Sequence, residues 1–115
     1  MTDDVESAYR AIEQARTSGK IAKGANEVTK SIERGTAKLV AYAKDVSPKE
    51  IVMHIPILCK EKNIPCIEVN TKQELGAAAG LHIGTACVSI TKEGDAKKII
   101  TQLHNTNIAS KNREE

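Results

Sequence analysis

The chain has 115 residues, 40% of them apolar, yet only Tyr9 and Tyr42 are aromatic; it contains no Phe and no Trp. This length suits one domain, expected over residues 1–115, that removes roughly 60 to 70% of its unfolded surface from water without disulfides or metals. The missing rings exclude reading of single strands by stacking bases on exposed aromatics. Net charge is only +2, short of the strongly basic signature of many nucleic-acid binders. Residues 20–38, however, hold five basic and two acidic side chains, a local +3 against −1 for the remainder. Cys59, Cys66 and Cys87 show no C-x-x-C or Cys/His ligand spacing, so buried free thiols are expected, with no zinc site, disulfide framework or cofactor. No apolar run approaches the ~20 residues of a membrane span, and "TDDVESAY" is no signal segment, so a cytoplasmic protein with no membrane association is expected.

In chain order, "DDVESAYRAIEQARTSG" spaces Val5, Ala8, Ile12 and Ala15 as one helix face, with Asp3 and Glu6 as a cap and Gly19 as the stop. "KIAK" reads as a short strand, and a second helix is predicted from Gly24 to about Arg34, ended by Gly35. "AKLVAYA" then alternates and branches like a buried strand. "VSPKEIVMHIPILCKEKN" opens a third helix, with Ser47 as N-cap, Pro48 at the first helical position and Glu50 completing a capping box. Pro56 inside it should remove one backbone hydrogen bond and kink or split the helix. "IPCIEV" follows as a strand, and "TKQELGAAAG" as a helix with a second capping box, Thr71 with Glu74, and Gly80 as its end. "TACVSI" reads as the last strand and "GDAKKIITQLHNTNIA" as the last helix, with Ile99, Ile100 and Leu103 inward; "SKNREE", residues 110–115, reads as a frayed tail. Strands separated by single helices argue for a layered α/β domain with a buried sheet between helices. Functional groups in such sheets commonly sit on loops and helix N-termini at one edge.

The second helix carries the most pointed pattern, "KGANEVTKSIERG", Lys23 to Gly35. At about 100° per residue, Ala25, Val28 and Ile32 share one face, and Asn26, Glu27, Lys30 and Arg34 share an arc opposite them. Gly24 and Ala25 leave the helix N-terminus uncrowded, so its amides and dipole can receive a phosphate, with Lys23 alongside. Asn donates to and accepts from a base edge, Lys donates to guanine O6 or N7, and a carboxylate accepts from an amino or imino group. A carboxylate in a basic field repels phosphate, so on an RNA-binding face Glu27 would accept a hydrogen bond from a base. The alternative is a solvated helix face, with Glu27 favourable to the dipole and paired to Lys30 at i,i+3.

A second feature is "GLHIGTA", Gly80 to Ala86, in which Leu81 and Ile83 sit in a glycine-framed loop. They either fold inward or form a flat apolar contact for an unstacked nucleotide. His82 either titrates near phosphate or is an exposed histidine with no role. An enzymatic reading would take Cys59 as nucleophile and His54 as base, but five residues on a continuous helix turn them about 140° apart. "GLHIG" follows a helix and precedes a strand, the wrong order for a dinucleotide site.

Taken together, "KGANEVTKSIERG", "SPKEIVMHIPILCKEKNIP", "TKQELG" and the "GLHIG" loop, in this order and spacing, resemble the L-seven-Ae family of archaeal and eukaryotic ribosomal proteins over about Lys20 to Ile108. The resemblance implies a three-layer α/β/α sandwich, here with a central mixed sheet of about four strands. It also implies a non-catalytic protein, a monomer when free, that binds the kink-turn, an RNA duplex bent at a short bulge beside tandem sheared G·A pairs. The RNAs implied are ribosomal RNA, box C/D and H/ACA guide RNA and ribonuclease P RNA, with guide-particle core proteins as further partners. By position, Asn26, Glu27 and Lys30 match residues that contact the G·A pairs. Lys23 and Arg34 match backbone-contacting positions, with Gly24 between Lys23 and the helix. Ile51 and Lys72 match residues around the flipped-out bulge nucleotide, and Leu81, His82, Ile83 and Gly84 match the loop that covers it. Archaeal relatives commonly carry an acidic residue at the position of His82, Ala or Pro at that of Gly84, and often an acidic residue at that of Ser47. The same fold also serves protein-interaction adaptors that bind no kink-turn, a reading that the intact Asn26, Glu27 and Lys30 set argues against.

Overall fold

The computed structural model describes residues 2–47 and 49–103. Helix α1 spans Thr2–Ser18, so it begins ahead of Asp3, not after it; the first-turn amides of a helix have no intrahelical acceptors to hold its boundary. Ala8, Ala11, Ile12 and Ala15 form its buried stripe. The chain leaves α1 at Gly19, where a side chain would collide with the Lys92 carbonyl.

The elements that follow are β1 (Lys20–Lys23), α2 (Ala25–Glu33), β2 (Leu39–Ala43), α3 (Glu50–Lys62), β3 (Cys66–Val69), α4 (Lys72–Ala78) and β4 (Cys87–Lys92). A 3-10 turn at Gly94–Ala96 then leads into helical residues 97–103. Ile100 and Leu103 are buried and Ile99 packs against the core, as the spacing predicts. The rest of that predicted helix and the 110–115 tail lie outside the described residues.

Further expectations are revised. Helix α3 starts at Glu50 with Lys49 as its N-cap and no side-chain cap bond, so Ser47 does not cap it. The amides of Val52 and Met53 instead both donate to the Lys49 carbonyl at 3.0 Å, closing the first turn with backbone alone. Pro48 lies outside the described residues. Pro56 sits inside a continuous helix that it does not split; Val52, Ile55 and Cys59 are buried along that helix, and this packing outweighs one absent backbone bond. The last strand begins at Cys87, two residues later than predicted. Thr85 is turned toward α4, its amide donating to the Lys72 carbonyl at 3.1 Å.

The four strands form one mixed sheet in the order β1-β4-β2-β3. Strand β2 runs parallel to β3 and antiparallel to β4, and β1 pairs antiparallel with β4. The register sets Val40 beside Cys66 and Ser89, and Ala41 beside Ile67 and Val88. Helices α1 and α4 pack together on one face and α2 and α3 on the other, completing the three-layer sandwich. The central strands are the most deeply buried, with Val40, Ala41, Val88 and Ile90 fully enclosed. With no Phe or Trp available, aliphatic side chains and alanines build this core. None of the three cysteines forms a disulfide; Cys59 and Cys87 are buried as expected and Cys66 only half-buried, and burial, then the nearby Cys59 thiol, push Cys87 up to about 12. No helix among the described residues is long and apolar enough to cross a membrane.

Candidate functional site

One edge of the sheet gathers the C-terminal ends of β1, β2 and β3 and the N-terminal end of β4, because β4 alone runs antiparallel to its neighbours there. Backbone hydrogen bonds lace that edge. Gly24 N–H donates to Cys87 O at 2.9 Å, Ala43 N–H to Ala86 O at 2.9 Å and Lys44 N–H to Val69 O at 3.0 Å. The N-termini of α2, α3 and α4 all rise from this edge, with the 81–86 loop among them. The fold therefore brings Lys23, Gly24, Asn26, Glu27, Ile51, Lys72 and the Leu81–Ile83 loop to one end of the molecule, and Lys30 and Arg34 continue from it along α2.

Helix α2 buries Val28 and Ile32, with Ala25 half-buried beside them, and exposes Asn26, Glu27, Lys30 and Arg34, as its spacing predicts; Ser31 is buried as well. Its buried face is held by more than apolar packing. Ser31 Oγ–H donates to the Val28 carbonyl at 2.7 Å, so the Ser89 hydroxyl of β4, 2.8 Å away, is the donor to Ser31 Oγ. Thr29 Oγ1–H donates to Ala25 O at 2.7 Å, which leaves His54 Nε2–H, 2.8 Å away on α3, as donor to Thr29. These two bonds fix the angle of α2 against the sheet and against α3, and so aim its outer face.

At the head of the helix Gly24 adopts φ 91°, ψ 153°, a region in effect reserved for glycine. A side chain there would meet nothing within 4 Å, so the backbone is open to close approach from outside. No side chain caps α2. The first helical bond runs from Val28 N–H to Gly24 O at 3.0 Å, and the amides of Ala25, Asn26 and Glu27 precede it with no partner in the helix. Lys23 is exposed beside them. Glu27 and Lys30 form an i,i+3 pair at 3.8 Å, with 63% and 55% of their side chains exposed. A contact this long and exposed is worth at most about 0.5 kcal/mol, so a ligand can separate the pair at little cost. Glu27 and Arg34 also line a cleft of about 340 Å³ that reaches Thr36 and Lys92.

The 81–84 loop is pressed onto α4. Leu81 N–H donates to Gly76 O at 2.8 Å, and a Cβ at Gly76 would land on the Ile83 carbonyl oxygen. The two apolar residues divide: Leu81 is partly buried against the core, while Ile83 is 73% exposed. His82 is exposed and Gly84 half-buried against Lys72. Helix α4 carries the predicted capping box, with Glu74 N–H donating to Thr71 Oγ1 at 3.1 Å. The expected return bond to the Thr71 amide is replaced by the Thr71 hydroxyl donating to the Glu74 carboxylate at 3.1 Å. Ile51, in the first turn of α3, is 39% exposed. Asp45, which the sequence reading did not single out, accepts from Lys72 N–H at 2.8 Å; an acidic residue just after a strand, 27 residues from the amide it holds, carries no local signal.

The Cys59–His54 reading gains no support. Cys59 is fully buried, helix α3 is continuous between the two residues, and His54 is bonded to Thr29.

A model of the ribosomal protein L7Ae/L30e/S12e/Gadd45 family matches residues 6–100. Among solved structures, a "15.5kD RNA binding protein" of Giardia lamblia is similar at a TM-score of 0.86 and 29% identity, over 93% of this chain and 89% of that one. The family pattern runs from α1 through the last strand, over the same glycine-headed helix and glycine-framed loop that build the edge, and the chain belongs to this family of ribosomal and related proteins.

Proposed function

We propose that this edge binds RNA and that the chain is a non-catalytic scaffold for kink-turn motifs. The observation that carries the reading is the outer face of α2, where Asn26, Glu27, Lys30 and Arg34 are all exposed behind an open glycine N-terminus. An exposed acid flanked by basic residues is a poor phosphate surface but a good purine reader, because the carboxylate accepts from guanine amino and imino groups that no phosphate offers. The groove of a regular A-form duplex is too narrow for such a helix, whereas a kinked duplex with sheared G·A pairs opens and displays those edges. Lys23, Arg34 and the α2 amides would then hold the backbone, while Ile83, Leu81, Ile51 and Lys72 would enclose the extruded nucleotide. Binding would shift the RNA toward its bent state by differential affinity alone.

The similarity to the Giardia RNA-binding protein supports this reading. On it, the targets are ribosomal RNA, box C/D and H/ACA guide RNA and ribonuclease P RNA, with guide-particle core proteins docking on the assembled particle. The test is Glu27→Ala. Binding to a kink-turn RNA should weaken by about 1 to 3 kcal/mol, with little change on plain duplex. Equal losses on both RNAs would leave Glu27 no base to read.

A further inference from the structure

Lys72 joins the two sides of the proposed nucleotide pocket through its backbone. Its N–H donates to Asp45 Oδ1 at 2.8 Å, in the turn that follows β2. Its carbonyl accepts from Thr85 N–H at 3.1 Å, where the 81–84 loop returns to the sheet. Gly84 lies so close that a Cβ there would sit 3.2 and 3.3 Å from the Lys72 carbonyl carbon and oxygen. The start of α4 is therefore a hinge pin between the 44–47 turn and the loop that presents Ile83. Of the three residues in this chain of bonds, Lys72 and Thr85 contribute backbone groups and Asp45 the one side chain. The neighbouring Lys44 N–H is already bonded to Val69 O at 3.0 Å, so the turn carrying Asp45 is itself anchored to the sheet.

We propose that Asp45 is a positioning residue for the extruded nucleotide: its carboxylate fixes the Lys72 backbone, and through Lys72 it holds the 81–84 loop at the height where Ile83 closes over the base. The inference rests on the kink-turn reading. It assigns Asp45 no contact with RNA, because a carboxylate already bonded to an amide, at the mouth of a phosphate-binding edge, is suited to holding protein and not nucleic acid.

The test measures Asp45→Ala, Asp45→Asn and Asp45→Glu against three RNAs at matched salt, below the thermal transition of every variant. These are an intact kink-turn, the same RNA with an abasic residue at the bulge, and the same RNA with its G·A pairs changed to Watson-Crick pairs. Asp45→Ala should bind the intact RNA about 3- to 10-fold more weakly. It should also lose most of the wild-type penalty for the abasic bulge and keep the full penalty for the altered G·A pairs. Asp45→Asn keeps an acceptor for Lys72 N–H and should behave as wild type. Asp45→Glu keeps the charge but displaces the acceptor, and should resemble Asp45→Ala. A 2-aminopurine at the extruded position should report a looser environment with Ala and Glu only. Equal weakening on all three RNAs, or an abasic penalty that survives Asp45→Ala, overturns the inference and leaves the kink-turn reading standing. A wild type indifferent to the G·A pairs brings down both.

Discussion

Gly76→Ala separates a loop that is pressed onto α4 from one that merely lies near it. Inside a helix the change ordinarily stabilises by about 0.8 to 1.0 kcal/mol, through lost backbone entropy in the unfolded chain. At Gly76 the new methyl would land on the Ile83 carbonyl oxygen and lie 3.1 Å from both the Ile83 carbonyl carbon and Gly84 Cα. All three are backbone atoms, so no side-chain rotation relieves the clash and the loop must move. Overpacking of this kind costs about 1 to 3 kcal/mol. Set against the helix gain, the net loss should be about 1 kcal/mol, or a fall in Tm of about 4 °C for a domain of this size. Displacing Ile83 should also remove part of an apolar contact worth about 1 kcal/mol, a loss of at most about fivefold in affinity for a kink-turn whose bulge nucleotide is present. Thermal melts and RNA titrations with and without that nucleotide measure both effects. A Tm that rises by several degrees, with binding unchanged, would refute the packing argument.

Three further outcomes are expected. Gly24→Ala forces a residue with a Cβ into φ 91°, ψ 153° with no steric neighbour. The penalty is therefore conformational, about 1 to 3 kcal/mol in urea unfolding; an unchanged midpoint would show that the helix head relaxes freely. Lys23→Ala should weaken RNA binding broadly and flatten the salt dependence by nearly one unit, whereas an unaltered slope would remove Lys23 from the phosphate contacts. Stability should fall at alkaline pH. Burial, then the Cys59 thiol, hold Cys87 up at about 12 against 9.0, and burial, then the Cys66 thiol, hold Tyr42 up at about 12 against 10.0. Both groups stay protonated in either state below about pH 9, so their stabilising effect is complete there. Above it the unfolded chain releases protons that the folded chain keeps, and stability drains away toward about pH 12. Urea midpoints should drop between neutral pH and about pH 10.5, less so in Cys87→Ala; equal slopes in the two proteins would count against Cys87 as a source.

The faces of α2 were legible because the apolar residues at 25, 28 and 32 share one side and the polar quartet falls opposite them. The same periodicity could not show that Ser31 is buried, since its partner Ser89 is 58 residues away in sequence. For Leu81 and Ile83 the sequence leaves inward and outward both open, because a glycine-framed loop has no period to read; the bond from Leu81 to Gly76 and the contact of Ile83 with that glycine divide them. The Thr71–Glu74 cap was readable from local chemistry. The Ser47 box was equally good locally and failed, because the Lys49 carbonyl closes the first turn of α3 by itself. Pro56 has no N–H to give the helix, but whether α3 splits depends on the burial of Val52, Ile55 and Cys59, a property of the assembled sheet. Asp45 was invisible for the same reason as Ser31: its meaning lies in a distant backbone amide.

The most direct test of the central claim is a titration of the wild-type chain, at matched salt, against a kink-turn RNA with intact G·A pairs and against the same RNA with those pairs made Watson-Crick. Tight binding to the first RNA alone is the predicted result, because the acid, amide and ammonium on the outer face of α2 find their partners only on the sheared purine edges. Equal, weak binding to both would contradict the account and leave a mildly basic α/β protein whose exposed edge serves another partner.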